Sequence, residues 1–127
     1  MGLSAWVAAG AAVLVLGAAA CSRLGGIKPA QAAELAQRPG TLVLDVRTLV
    51  EYEGGHLPSA VLIPIQQLPG RLAELPQDKK TPILVYCAVG GRSAAAAGLL
   101  KAKGYENVSD LSGGISAWES AGLPVVK

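Results

Sequence analysis

A chain of 127 residues is long enough for one domain of ordinary size and too short for two. Its formal charge of +2, from 11 basic and 9 acidic residues, offers no nucleic-acid surface, and with no Phe, two Trp and three Tyr it has no base-stacking platform. The hydrophobic fraction of 51% is unevenly spread, because every charged residue lies after Cys21.

Residues 1–20, MGLSAWVAAGAAVLVLGAAA, are uncharged and long enough to cross a bilayer, for which about twenty apolar residues suffice. A cleaved signal peptide, a retained membrane anchor and a buried helix are the three readings. The many Ala and Gly residues would fill a core poorly, which disfavours the last. GAAAC, with Ala18, Ala19 and Ala20 before Cys21, resembles the lipobox of bacterial lipoproteins. That resemblance implies diacylglycerol on the Cys21 thiol and Cys21 as the mature N-terminus. Ala18 stands where lipoboxes usually carry Leu, and no Lys or Arg lies near the start. Three alanines also suit an ordinary signal-peptidase site, and without cleavage the segment would anchor the protein. All three outcomes place the domain outside the cytoplasm, on the periplasmic side of the cell envelope. In an oxidising compartment structural cysteines usually pair. With Cys21 lipidated or removed, Cys87 has no partner in the chain, so its thiol is either a small buried hydrophobe or is kept for its reactivity.

Residues 21–26 read as a short linker beginning with the lipidated cysteine, and the domain is expected over 27–127. AQAAELA (30–36) suits a helix stopped by Pro39-Gly40. TLVLDV (41–46) is a near-continuous run of β-prone apolar residues, as in a strand buried on both faces. TLVEYEGG predicts a short helix ended by glycine, AVLIP a strand cut off at Pro64, and QQLPGRLAEL a helix in its second half. TPILVY (81–86) is a second buried-strand run. After AVGGR comes a helix, SAAAAGLLKAKG, with Ser93 near its start, Gly104 after its end, and Lys101 and Lys103 suited to the negative end of its dipole. NVSDL predicts a strand and GISAWESAG a final helix. Alternating strands and helices imply an α/β domain: a central parallel sheet with right-handed crossovers and helices on both faces.

In such a sheet ligands bind beyond the carboxyl ends of the strands, where Cys87 stands. The following AVGG has two glycines, so the loop can curl until its N–H groups converge on one point. The next helix adds its positive N-terminus and Arg92 a fixed cation. All three favour thiolate, the nucleophilic form.

CAVGGRS resembles the active-site loop of the rhodanese family of sulfurtransferases, a cysteine followed by four residues and an arginine. Two further blocks share the resemblance. LDVRTLVEYEGGHLPSAVLIP matches through Asp45, Arg47, Glu51, Gly55, His56, Leu57, Pro58 and Ala60, and NVSDLSGGISAWESAGLPV through Gly113, Gly114, Trp118, Gly122 and Pro124. Together the blocks run from about Ile27 to Val126. The resemblance implies a rhodanese-like fold and sulfane-sulfur transfer through a persulfide on Cys87. Ala88, Val89, Gly90, Gly91 and Arg92 would bind the substrate, with no metal or organic cofactor. The implied partners are a sulfur-containing anion such as thiosulfate as donor and cyanide or a thiol as acceptor. The membrane is reached through a lipid anchor or an uncleaved leader, and a monomer is expected.

Phosphatases and arsenate reductases with the same loop logic need C-x5-R to enclose a tetrahedral oxyanion; here only four residues separate Cys87 from Arg92. A persulfide carrier or a binding module for a protein partner is the alternative from another class. Other conspicuous residues are read as structural. His56, the sole histidine, fixes a turn rather than serving as a base, and Asp45 and Arg47 form an ion pair. Trp118 is core, and Glu51 and Glu53 lie on a solvated face with one local hydrogen bond.

Overall fold

The computed structural model describes residues 26–127. The leader and Cys21 lie outside the described residues. Four parallel strands form one sheet in the order β2-β1-β3-β4: β1 is Leu42–Asp45, β2 Val61–Leu62, β3 Ile83–Tyr86 and β4 Val108–Asp110. The register sets Leu42 against Ile83 and Asp45 against Tyr86 in the central pair, and Val85 against Asp110 at the edge. The central strands are the two apolar runs of the sequence, and every residue of β3 is buried.

Helices cover both faces, as the alternation of elements predicts. They are α1 (Pro29–Gln37), α2 (Leu49–Glu53), α3 (Gly91–Ala102) and α4 (Gly114–Ser120). On one face Leu44, Val46, Ile83 and Val85 pack against Ala96, Ala97 and Leu100 of α3. On the other, Val43, Leu84 and Tyr86 meet Ala32 of α1 and Ile115 and Trp118 of α4. Successive strand residues alternate between the two cores because side chains of a strand point to opposite faces. Each fully buried Leu or Val contributes roughly 1.5–3 kcal/mol relative to exposure.

Two expectations are corrected. The stretch 66–75, expected to be helical in its second half, forms two single 3₁₀ turns, Leu68–Gly70 and Leu72–Glu74, rather than an α-helix. Pro69 cannot donate a backbone hydrogen bond, and Gly70 carries a high entropy cost in a helix. The strand expected over 60–64 is reduced to Val61–Leu62, paired with Leu44 and Asp45. No helix among the described residues is long and apolar enough to cross a membrane.

Candidate active site

Strand β3 ends at Tyr86, so Cys87 emerges at the carboxyl end of the sheet, between β1 and β4. Its side chain is only 1% exposed. The chain then turns back on itself. Gly90 adopts φ +125°, a conformation closed to most side chains, and caps the N-terminus of α3. This turn brings the Gly90 N–H to 3.0 Å from Cys87 Sγ. The thiol donates to Ser93 Oγ at 3.4 Å, and the Ser93 hydroxyl donates to Gly90 O at 3.1 Å.

Helix α4 holds the loop from beneath. Its Ile115 N–H donates to Cys87 O at 2.9 Å and its Ser116 N–H to Ala88 O at 3.1 Å. A Cβ on Gly114, which has φ +60°, would collide with the carbonyls of Cys87 and Ala88. Gly114 therefore allows the close approach to the cysteine loop, whereas a Cβ on Gly113, at φ +77°, would meet Ala117.

Burial by itself would raise the Cys87 pKa. Once the proton leaves, the sulfur can only accept, and the Ser93 hydroxyl turns from Gly90 O to donate to it. With the backbone N–H groups of Ser93, Gly90 and Val89 it outweighs burial, so the thiol titrates below the ordinary cysteine value. Around Sγ itself the cradle thus runs to Ser93, one residue past the expected Ala88–Arg92 span. Ser93 is fully buried. Its sequence signal was a helix start; that its hydroxyl faces the sulfur follows from the Gly90 turn. Of the other loop residues, Ala88 is half-buried, Gly91 opens α3, and Val89 is 72% exposed at the tip.

Arg92 lies at the loop but does not stand free. Its Nη1 and Nη2 donate to Glu51 Oε1 and Oε2 at 2.7 and 2.9 Å. Both side chains are about a third exposed, at 36% and 31%. The Arg92 bond holds the Glu51 carboxyl far below the usual carboxylate range, at about 2. Glu51 is therefore more than a solvated residue with one local bond. It makes that bond, closing the capping box of α2 through Thr48, and it also neutralises the loop arginine. The pair has no local sequence signal, because its members lie 41 positions apart. Glu53 is exposed, as expected.

The remaining structural readings hold. Asp45 and Arg47 are buried and joined by Nη2–Oδ2 at 2.7 Å and Nε–Oδ1 at 3.0 Å. The same pair ties three elements together. Arg47 Nη2 donates to Gly55 O at 2.8 Å, and the Tyr86 hydroxyl donates to Asp45 Oδ2 at 2.6 Å while accepting from Leu57 N at 3.1 Å. His56 Nδ1 lies 2.9 Å from Tyr52 O, and its ring stacks on Tyr52 at 3.7 Å. That is a turn-fixing role. Trp118 is buried, with Nε1 donating to Pro124 O at 2.8 Å. At the end of β4, burial raises the pKa of Asp110, against the opposing influence of Ser93 and Lys101. No cluster that could hold a metal ion occurs among the described residues.

The rhodanese-like domain family matches residues 28–121. A sulfurtransferase of Allochromatium vinosum is 39% identical over 92 residues, covering 72% of this chain and 84% of its own length. A rhodanese-related protein of Thermoplasma volcanium superimposes with a TM-score of 0.72 at 36% identity, over 80% of this chain and 97% of that one. A tRNA uridine(34) hydroxylase of Erwinia tasmaniensis is 36% identical over 107 residues, 78% of this chain, but the match spans only 31% of the hydroxylase. A family match over most of the chain, the parallel sheet and the cysteine loop agree: the chain belongs to the rhodanese-like domain family and is related to its sulfurtransferases.

Proposed function

We propose that this domain moves a sulfane sulfur from a donor such as thiosulfate to cyanide or a thiol, through a persulfide on Cys87. The observation that carries the reading is the sulfur cup: a buried thiol whose pKa is lowered by Ser93 and by three backbone N–H groups. In the first half-reaction the Cys87 thiolate attacks the outer sulfur of thiosulfate. The Sγ–S bond forms, the S–S bond of the donor breaks, and sulfite leaves with the electron pair. In the second, cyanide or a thiolate attacks the terminal sulfur, thiocyanate or a new persulfide leaves, and the Cys87 thiolate returns. Charge balances in both steps. This is covalent catalysis in two half-reactions, with ping-pong kinetics. Convergent N–H groups suit both stages, because each leaves a negative sulfur in the loop.

A second reading, a carrier that passes the persulfide to a protein partner, draws support from the exposed Val89 at the loop tip. On either reading the domain acts as a monomer on the periplasmic side of the envelope. It is held there by lipid on Cys21 or by an uncleaved leader, or else is secreted.

Cys87→Ser is the direct test. The serine hydroxyl can still accept from Gly90 N–H, so the fold should persist, but it cannot carry a sulfane sulfur. Thiosulfate:cyanide transfer should fall to background. A rate near wild type would end the proposal.

A further inference from the structure

Arg92 is the full positive charge of the cysteine loop, and that charge is already taken. Both of its terminal nitrogens are paired with both Glu51 oxygens. Glu51 is not free to swing away, since its Oε1 also accepts from Thr48 N at 3.0 Å and Thr48 Oγ1 at 3.1 Å, the bonds that cap α2. Arg47, the other arginine of this region, is buried against Asp45 and Gly55 O. Ala88, directly after the nucleophile, adds no charge. What faces an incoming donor is therefore a set of backbone dipoles beside a neutralised ion pair, with the apolar Val89 exposed at the tip.

We propose that Glu51 sets the donor class of this site: by neutralising Arg92 it disfavours the doubly charged thiosulfate and favours hydropersulfides, R–S–SH, whose sulfurs carry at most one negative charge and whose organic group can rest on Val89. The inference rests on the sulfur-transfer reading above. Atoms and charge balance without an added oxidant. The Cys87 thiolate attacks the outer sulfur of R–S–SH, the Sγ–S bond forms and the donor S–S bond breaks. Its electron pair departs on RS⁻ and the proton stays on the terminal sulfur, giving Cys87–S–SH. Glu51 acts through Arg92, as a positioning residue.

Glu51→Gln tests this, because glutamine keeps the oxygen that the capping box needs and loses the charge. The full chain, wild type and variant, is assayed with thiosulfate and with cysteine hydropersulfide, while mass spectrometry follows sulfur on Cys87. The wild type should turn over the hydropersulfide with the higher kcat/KM. In the variant the thiosulfate KM should fall about fivefold, the effect of roughly 1 kcal/mol at a partly exposed charge. Its thiosulfate kcat/KM should also become more sensitive to ionic strength, since a freed cation attracts a dianion through screened charge. A purely structural brace would produce neither the KM shift nor the salt dependence. A thiosulfate KM that does not fall, or donors that shift in parallel, would overturn the inference while leaving the sulfur-transfer reading intact. A wild-type Cys87 that takes sulfur from neither donor would overturn both.

Discussion

Cys87 is activated by short-range hydrogen bonding more than by a nearby cation. The lowered thiol pKa traces to the Ser93 hydroxyl first, then to the N–H groups of Ser93, Gly90 and Val89. The cysteine and its arginine were legible in the sequence as C-x4-R. Ser93 was not, because nothing local says that a helix-start hydroxyl points at sulfur. Arg92 was expected to favour the thiolate together with the loop N–H groups and the helix terminus. Its own pKa is raised foremost by Glu51, with the Cys87 charge a lesser contributor. Ser93→Ala should therefore raise the alkylation midpoint of Cys87 toward the reference thiol value of about 8.5, and Ser93→Thr should restore it. Arg92→Ala should move it less. The pH dependence of iodoacetamide labelling at Cys87 measures all three; a midpoint that follows Arg92 and ignores Ser93 would refute the assignment.

Between elements, two contacts carry the geometry of the site. The first is α4 against the cysteine loop, where Gly114 leaves no room for a side chain. Gly114→Ala should cost about 2 kcal/mol or more from backbone strain and collision, read as a lower urea midpoint, and should slow sulfur transfer by displacing Cys87. The second is the bridge from Arg92 on α3 to Glu51 on α2. Glu51 has its pKa depressed in the fold, so its stabilising contribution is complete above the ordinary carboxylate range of about 4.3. That contribution is lost as pH falls toward about 2. Acid denaturation should accordingly lose sensitivity within that window in Glu51→Gln. Among the elements, the strands were legible because apolar runs such as TPILVY suit a doubly covered sheet. The 3₁₀ turns over Leu68–Glu74 were harder to read, since an apolar spacing of helical kind competes there with Pro69 and Gly70.

Residues 26–127 form a parallel sheet whose central strands deliver Asp45, which holds the scaffold, and Cys87, the proposed nucleophile, to the same edge. Fold class followed from the order of strands and helices, the nucleophile from its loop, and the Asp45–Arg47 pair from its spacing. The Tyr86 hydroxyl that joins that pair needed the register that sets Asp45 against Tyr86, and the Glu51–Arg92 bridge needed the folded approach of α2 to α3. Asp45→Ala would leave Arg47 buried without its partner and should cost about 3–5 kcal/mol in unfolding free energy, measurable by urea titration. At the cellular scale, metabolic labelling with a fatty acid should mark the wild type and not Cys21→Ala; equal labelling of both, or of neither, would rule out the lipid anchor. The central claim is that Cys87 itself carries the sulfur, and intact-protein mass spectrometry after donor exposure tests it most directly. One added sulfur is expected on the Cys87 peptide, discharged by cyanide as thiocyanate and absent in Cys87→Ser. A wild type with no sulfur on that peptide, or a Cys87→Ser variant that still releases thiocyanate, would contradict it.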